Sequence, residues 1–431
     1  MNNTRLLPLT AVQRKQNNSS LIDKLARRGF LARMADITKG EVVIEEGDDR
    51  QCFGQVTDSL PGPVVIVVND PQFYSDIAFG GSVGAGESYF QGRWECNDLT
   101  SLVRIMLVNR SVLDDMDSTF SRIREPLYRS LHWLNRNTKK GSRKNIEAHY
   151  DLGNELFKLF LDKSMMYSCA VYEQPHYDLE QASFAKLERI CHKLELKASD
   201  HVVEIGTGWG GFAIHATQHY GCHVTTTTIS SEQYAYAKQR VTEAGLTDKI
   251  TVLCKDYREL EGQYDKLVSI EMIEAIGHQY LPTYFKQCSS LLKPDGMMLL
   301  QAITIVDQRY KSALRSSDFI KQYIFPGSFI PSVSAMIDTT AEHTDMRLFH
   351  LEDIGPHYAT TLRHWRERFL AKLDDVRALG YPDTFIRMWD FYLCYCEGGF
   401  MEQAIGNVHM LLVKPESRKD PLLSPLQSNS E

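Results

Sequence analysis

A glycine-rich turn that follows a buried strand constrains this chain more strongly than any other feature of its sequence. Residues 202–205 (VVEI) form a short apolar run that predicts a buried strand, and residues 206–211 (GTGWGG) follow it directly. Glycines allow the backbone to turn tightly and to approach a ligand closely. In open α/β sheets, ligands bind beyond the carboxyl ends of the strands. The turn therefore predicts a ligand site at the edge of an α/β sheet.

The region after residue 146 alternates short apolar runs with longer amphipathic stretches. Further strands are predicted at 222–229, 250–253, 264–270, 296–303 and 407–413. Helices, such as those predicted at 231–244 and 281–292, separate these strands. This alternation favours a parallel sheet that is covered by helices on both faces.

Glu204 narrows the class of ligand that the turn can bind. Gly206, Gly208 and Gly211 satisfy the G-x-G-x-x-G spacing of dinucleotide sites, but such sites need an acidic residue about 20 positions further on. Residues 224–228 (VTTTT) supply no carboxylate. The Glu204 carboxylate would repel a pyrophosphate, whereas it suits the sulfonium and ammonium charges of S-adenosylmethionine. The sequence therefore favours S-adenosylmethionine over a dinucleotide.

The composition argues against several other classes of protein. The 431 residues carry a formal net charge of −7, which disfavours a protein that coats nucleic acid. No apolar run reaches the roughly 18–20 residues that span a bilayer, and the first twenty residues lack the apolar core of a signal peptide. The nine cysteines are scattered and form no C-x-x-C pair, so we expect no metal site and a reducing compartment. We therefore predict a cytoplasmic protein.

Changes in composition divide the chain into five stretches. We predict a disordered N-terminus at 1–20, a small N-terminal α/β domain at 21–120, a basic linker at 121–145, a catalytic domain at 146–416 and a disordered tail at 417–431. Within the N-terminal domain, residues 63–68 predict a strand, residues 99–112 a helix, and the glycine-dense residues 79–86 a loop.

The basic linker carries eight lysines and arginines between residues 122 and 144, against a single acid, Glu125. Apolar and aromatic residues such as Tyr128 and Trp133 interleave with these cations. Such a segment can lie on an anionic membrane surface. A solvated linker between domains explains the same pattern equally well, so both interpretations stay open.

Six further motifs resemble those of the cyclopropane-fatty-acid synthase family. They lie at 149–154 (HYDLGN), 167–170 (YSCA), 271–277 (EMIEAIG), 323–327 (YIFPG), 358–362 (YATTL) and 396–400 (CEGGF). The resemblance covers nearly all of 146–414, and the N-terminal part resembles the smaller domain of the longer bacterial members more loosely. It implies a class I methyltransferase (Rossmann-like) fold, with a seven-stranded sheet and helices on both faces. It also implies that S-adenosylmethionine is used to convert a cis double bond in a phospholipid acyl chain into a cyclopropane, on the inner face of the membrane.

The resemblance also assigns residues to the cofactor. Those implied to bind it are Tyr167, Ser168, Glu204, Gly206, Gly208, Gly210, Thr228, Gln233, Asp256 and Tyr257. Of these, Thr228 and Gln233 are expected to reach the ribose or the methionine part. Asp256 and Tyr257 are expected to flank the adenine.

In this family a bicarbonate ion beside the methyl group acts as the base, and the resemblance implies its site here. The residues that the resemblance places around this ion, its shell, are Cys169, Glu274, Tyr358, Ile303 (through its backbone) and Gln301. Position 301 is a histidine in well-known bacterial members, and a glutamine amide can donate a hydrogen bond but cannot take up a proton. Cys396 falls where the family carries a cysteine that is often assigned an active role. Glu271 lies three residues from Glu274 and would share its face on a helix, where we expect it to pack or cap.

Three alternatives remain open at this point. The first is a related enzyme whose product is a methyl-branched or methylene chain. The second is a methyltransferase of a small amine, and the third is a lipid-binding protein without activity. In the leading interpretation, aromatic faces shield a carbocation, and the candidates are Tyr167, Tyr172, Tyr323, Phe325 and Phe329. The expected partners are unsaturated phospholipids, and a homodimer is left open.

Overall fold

A seven-stranded sheet dominates the computed structural model, which describes residues 20–112 and 152–422. Its strands are β5 (His201–Ile205), β6 (His223–Thr228), β7 (Ile250–Cys254), β8 (Tyr264–Ile270), β9 (Leu292–Ile305), β10 (Arg347–Asp353) and β11 (Ile405–Val413). The strand order is β10-β11-β9-β8-β5-β6-β7. The strands from β9 to β7 are parallel, whereas β11 pairs antiparallel with both β9 and β10. The predicted parallel sheet thus contains one antiparallel strand, β11, next to its edge.

Helices cover both faces of this sheet, as the alternation predicted. Over the described residues they are α4 (Asn154–Phe160), α5 (Leu179–Leu194), α6 (Gly211–Tyr220), α7 (Ser231–Glu243), α8 (Leu281–Ser290), α9 (Asp307–Ala313), α10 (Val333–His343), α11 (Gly355–Leu370), α12 (Leu373–Ala378) and α13 (Asp383–Met401). Separate apolar clusters lie on the two faces, one including Tyr284 and Phe285 of α8 and the other Phe212 of α6. The sheet is thus the buried middle layer of the domain.

The chain reverses its direction of travel across this sheet between β5 and β8. From β5 it continues outward to β6 and β7, and then returns to add β8 on the other side of β5. The loops that leave β5 and β8 therefore separate above the sheet and open a crevice at its carboxyl edge. Glu204 lies near the end of β5, and Glu271 directly follows β8.

Within residues 20–112, the N-terminal domain comprises a four-stranded sheet and three helices. Its elements are α1 (Leu21–Met34), β1 (Gly40–Glu46), β2 (Asp49–Gln55), β3 (Val64–Val68), α2 (Gln72–Phe90), β4 (Trp94–Cys96) and α3 (Leu99–Val108), and the strand order is β2-β1-β3-β4. The strand at 63–68 is confirmed. The loop expected at 79–86 is wrong, because these glycines lie within α2, which is kinked at Gly81 (φ 48°, ψ −137°).

Two glycines, one in each domain, allow the N-terminal domain and the catalytic domain to pack closely together. A Cβ atom on Gly86 would lie 2.4 Å from the ring of Phe319, and one on Gly398 would lie 2.8 Å from Val103 Cβ. Arg387 on α13 donates to the backbone carbonyl oxygen of Tyr89 at 2.8 Å. The contact between the two domains is therefore tightly packed and hydrogen-bonded.

The predicted basic linker and most of the predicted N-terminal tail lie outside the described residues. Of the predicted C-terminal tail the structure describes residues 417–422, in which Ser417 is buried and Lys419 pairs with Glu195, and the rest lies outside the described residues. The described residues contain no helix that is both long and apolar enough to cross a membrane.

Candidate active site

The glycine turn adopts backbone conformations that other residues rarely reach. Gly206, Gly208 and Gly210 have φ values of 101°, 52° and 83°, in the left-handed region that favours glycine. A Cβ atom on Gly208 would meet no other atom within 4 Å, so its strand-to-helix turn borders open space. Gly210 caps α6 and packs towards Ala237, with 3.4 Å from its ideal Cβ position to Ala237 Cβ.

The ten residues assigned to the cofactor converge, with one exception, on a single cavity. This cavity has a volume of about 1000 Å³, and all of them except Gly210 line it. Thr228 donates its hydroxyl hydrogen to Gln233 Oε1 at 2.9 Å, and Ser168 Oγ accepts from Lys186 Nζ at 3.0 Å. Asp256 is held by two hydrogen bonds from the guanidinium of Arg258. The structure thus brings the predicted cofactor residues together, while their individual roles stay predictions.

The burial and hydrogen bonding of Glu204 indicate whether this cavity suits a cationic cofactor. Its side chain is buried, and Oε2 finds no hydrogen-bond partner among the residues that the structure describes. Burial raises the pKa of Glu204 to about 8. An unsatisfied buried carboxyl group is costly unless a ligand compensates for it. A cofactor with sulfonium and ammonium charges therefore fits the site.

Glu271 is the centre of the second cluster, and this role was not predicted. Its Oε1 accepts hydrogen bonds from the amide of Cys169 at 3.0 Å, from Gln301 Nε2 at 2.8 Å and from Asn407 Nδ2 at 2.6 Å. Its Oε2 accepts from the hydroxyl of Tyr358 at 2.8 Å. The expectation that Glu271 packs or caps a helix is wrong, because its side chain occupies the middle of the predicted anion shell.

The backbone of Glu271 is also unusual. It follows the end of β8 with φ 50°, a left-handed conformation that costs a residue other than glycine roughly 1–2 kcal/mol. Glu271 and Glu274 do not share a helix face, since Glu274 lies in a separate 3₁₀ turn (Ile273–Ala275). The surrounding structure therefore holds Glu271 in a strained position, as residues at functional sites often are.

Glu274 lies beside this cluster and makes a different set of contacts. Its Oε1 accepts from the amide of Ile303 at 2.5 Å, while Oε2 has no hydrogen-bond partner within the described ranges. Burial first, and then repulsion from Glu271, raises the pKa of Glu274 to about 8. Burial also raises the pKa of Glu271, but hydrogen bonds from Cys169 and Tyr358 oppose this rise. Four hydrogen bonds thus favour the ionised form of Glu271, whereas burial and the neighbouring Glu271 charge favour the protonated form of Glu274.

The expected shell does not fit a bicarbonate ion. Gln301 and Tyr358 donate to Glu271, and the Ile303 amide donates to Glu274. The thiol of Cys169 points to the backbone carbonyl oxygens of Ala170 and Ile354, at 3.2 and 3.6 Å. Each donor expected for the ion thus already has an acceptor from the chain, and a carboxylate lies where the ion was expected.

A chain of polar side chains behind Gln301 was missed in the sequence. His409, on β11, lies opposite Gln301 on β9, and its Nε2 is 3.0 Å from Gln301 Oε1. His409 Nδ1 is 3.1 Å from Lys193 Nζ. Asn407 and His409 are completely buried, within a strand whose other central residues are apolar. Polar residues in a buried strand were the signal that would have identified them.

The rest of the cavity wall is mainly apolar and comes from both domains. From the N-terminal domain it includes Phe30, Met34, Ile66, Phe73, Ala78, Leu102 and Met106. Of the five aromatic candidates, Tyr167, Phe325 and Phe329 line the cavity. Tyr172 and Tyr323 are instead hydrogen-bonded to His364 and Glu87.

Cys396 lies on the apolar part of this wall. Among the described contacts it makes no hydrogen bond to the Glu271 cluster, and burial raises the pKa of its thiol. A buried, protonated thiol is a poor nucleophile. The structure thus places Cys396 on the wall of the cavity, apart from the Glu271 cluster.

Residues 137–410 match the mycolic acid cyclopropane synthetase family. The chain belongs to this family. It is 39% identical over 338 residues to the tuberculostearic acid methyltransferase UfaA1 of Mycobacterium tuberculosis, a match that covers 74% of this chain and 76% of that protein. It is 38% identical over 350 residues to the cyclopropane-fatty-acyl-phospholipid synthase of Escherichia coli, covering 80% and 86%.

Solved structures of family members share the fold. The cyclopropane synthase MmaA2 from Mycobacterium tuberculosis superposes with a TM-score of 0.59 at 28% identity, covering 63% of this chain and 98% of that one. The mycolic acid cyclopropane synthase CmaA1, complexed with SAH and CTAB, gives the same values. The protein is therefore an S-adenosylmethionine-dependent methyltransferase of the class I fold that modifies lipids. Its family match begins at residue 137, after the N-terminal domain.

Proposed function

We propose that the protein methylates the cis double bond of an unsaturated phospholipid acyl chain and closes the product to a cyclopropane ring. One observation carries this proposal. The cofactor residues, the two carboxyl groups Glu271 and Glu274, and a long apolar wall all line the same cavity. A cavity of this kind suits a substrate that is mostly hydrocarbon.

The residues of this chain must bind, orient and shield the reactants. When bound, S-adenosylmethionine supplies an electrophilic methyl group. An alkene is a weak nucleophile, so the apolar wall must hold it in line and exclude water. Tyr167, Phe325 and Tyr392 line the cavity and pack together, with ring centroids 6.2–6.4 Å apart for the pairs that include Phe325. Their faces can stabilise positive charge on the alkyl chain.

A membrane surface is the proposed place of action. The acyl chain of a phospholipid must leave the bilayer to enter the cavity, and the basic segment at 122–144 suits an anionic headgroup layer. Replacing the eight cations of this segment with glutamine is expected to weaken binding to anionic vesicles, most strongly at low salt. Unchanged binding to anionic vesicles in a sedimentation assay would indicate that this segment is only a linker between domains.

A second candidate is a C-methyltransferase that leaves a methyl-branched or methylene chain. It is favoured by the tuberculostearic acid methyltransferase, which is as similar to this chain as the synthase of Escherichia coli is. A methyltransferase of small polar amines is less well supported, because such substrates do not need the extensive apolar wall.

Mass spectrometry of lipids tests the proposal directly. Purified protein, vesicles of unsaturated phospholipid and a methyl-labelled cofactor should give an acyl chain that gains one CH₂ and resists catalytic hydrogenation of alkenes. A labelled chain that still takes up hydrogen would instead support the second candidate. Absence of label in the lipid, with label in an added small amine, would contradict both.

A further inference from the structure

We propose that the carboxylate of Glu271 accepts the proton that the transferred methyl group loses, so that the protein supplies its own base. This inference rests on the proposed function, because a base is needed only after an acyl chain has been methylated. It departs from the bicarbonate expected by resemblance.

The hydrogen bonds of Glu271 distinguish its two oxygens. Oε1 accepts from three donors: the Cys169 amide, Gln301 and Asn407. Oε2 accepts only from Tyr358 among the contacts that the structure describes. Each hydrogen bond lowers the basicity of the oxygen that accepts it. Oε2 is therefore the oxygen better able to take up a proton, and Glu271 and Tyr358 both line the cavity.

The neighbouring carboxyl group of Glu274 indicates which of the two carboxyl groups carries the negative charge. Glu271 has four donors, whereas Glu274 has the Ile303 amide and a second oxygen without a described partner. Two buried carboxyl groups this close do not both ionise. The protonated Glu274 beside the ionised Glu271 gives the site one base and one neutral acid, as in other enzymes that separate the roles of two carboxyl groups. The raised pKa of Glu274 agrees with this assignment.

Two further observations indicate that Glu271 is more than a packing residue. Its backbone is held at φ 50° although glutamate disfavours this conformation. Its donors come from separate parts of the chain: Cys169 from the loop before α5, Gln301 from β9, Asn407 from β11 and Tyr358 from α11. Such convergence on one strained carboxylate is typical of a preorganised site.

The proposed step balances without another reactant. After methylation of one alkene carbon, the adjacent carbon is electron-deficient. A C–H bond of the new methyl group breaks, and its electron pair forms the bond to that carbon, which closes the ring. The proton goes to Oε2 of Glu271.

The first test uses the unaltered protein and bicarbonate as the probe. Reactions with vesicles of unsaturated phospholipid are run in carbon-dioxide-free buffer, with and without added bicarbonate. Equal turnover in both conditions is expected, because the donors of the shell already hold Glu271. A requirement for added bicarbonate would overturn the inference.

The second test replaces Glu271 in two ways. Glu271→Gln keeps the size of the side chain but cannot accept the proton. It is expected to lower ring formation at least a hundredfold and to raise the share of lipid products that carry the label without a ring. Glu271→Gly removes the side chain and the backbone strain, so added bicarbonate is expected to restore part of the turnover. Glu397→Gln, a buried carboxylate on α13 outside the cavity wall, serves as the matched control.

Binding of SAH and thermal unfolding are measured for each variant to show that the cofactor site and the fold are retained. Ring formation by Glu271→Gln within a few-fold of the unaltered protein would overturn the inference. If Glu271→Gln loses activity only because it unfolds, a folded and fully active Glu271→Gly would overturn the inference instead. If the unaltered protein transfers no label to lipid, the proposed function fails instead. If it transfers label without forming a ring, the second candidate holds.

Discussion

Gln301 and His409 lie opposite each other on β9 and β11, with His409 Nε2 3.0 Å from Gln301 Oε1. Lys193 can only donate at its ammonium group, so the ring nitrogen that it contacts, Nδ1, accepts. The hydrogen of His409 is therefore on Nε2 and is donated to the amide oxygen of Gln301. This leaves the amide nitrogen of Gln301 to donate to Glu271. His409 thus fixes which way the glutamine amide points.

Replacing His409 is therefore expected to disturb Glu271 without touching the cofactor. In His409→Phe the amide oxygen of Gln301 loses its hydrogen-bond donor, so the amide is held less firmly in the orientation that donates to Glu271. We expect kcat to fall by roughly tenfold to a hundredfold, with SAH affinity unchanged in calorimetry. His176→Phe, on the surface, is the control. An equal loss of SAH affinity and kcat would contradict this positioning role.

Tyr358→Phe removes the hydrogen bond to Oε2 of Glu271. We expect turnover to fall, because the phenol no longer orients that oxygen, while SAH affinity stays within about twofold of normal. Tyr220→Phe is a closely matched control, since Tyr220 donates to Glu188 at 2.9 Å on a surface away from the cavity. A parallel loss of cofactor affinity in Tyr358→Phe would show that this tyrosine belongs to the cofactor site instead.

Glu204 is expected to make the stability of the free protein depend on pH. The folded protein holds the Glu204 proton up to a pKa of about 8, whereas the unfolded chain releases it near 4.5. The free energy of unfolding should therefore fall as the pH rises from 4.5 to 8, by on the order of 3 kcal/mol at pH 7 for this one group. Denaturant unfolding at several pH values measures this slope.

Two comparisons isolate the contribution of Glu204. Glu204→Gln should flatten the slope, while Glu342→Gln, an exposed control, should leave it unchanged. Saturating S-adenosylmethionine should also flatten it, because its positive charges favour the ionised carboxylate. The same slope in Glu204→Gln as in the unaltered protein would refute this account.

The part of the cavity wall built by the N-terminal domain is expected to limit the length of the acyl chain. Ala78→Phe places a ring on this wall, so the longest chains should be methylated less while shorter ones are retained. Mass spectrometry of products from a mixture of chain lengths measures the shift. Ala32→Phe, on an exposed position of α1, is the control. An unchanged length distribution in Ala78→Phe would mean that the chain lies elsewhere.

Most of the strands could be predicted because their residues are largely apolar or β-branched, as in β5 and β6. Strand β10 was missed, since Arg347–Asp353 lies at the edge of the sheet, is half-exposed and mixes charged with apolar residues. The sequence predicts a loop for the glycine-dense part of α2 because glycine usually breaks a helix, whereas here Gly86 packs so closely on Phe319 and Phe391 that a side chain would not fit. In both places tertiary contacts, and not local sequence preference, determine the secondary structure.

The grouping of nine of the ten cofactor candidates around one cavity could be predicted from the sequence, because most of them lie in short motifs that follow strands. The placement of Glu271 could not, since it depends on one positive φ value and on donors that are separated by more than 200 residues of the chain, from Cys169 to Asn407. For Asn407 and His409 the sequence predicts only an ordinary strand. Only the pairing of β11 with β9 brings them beside Gln301.

The close approach at Gly86 and Gly398 limits how the two domains can be recombined. A chimaera that joins the N-terminal domain of one family member to the catalytic domain of another will assemble only if both contact points lack a side chain. A larger residue at either point would force the two domains further apart unless the facing residue became smaller at the same time.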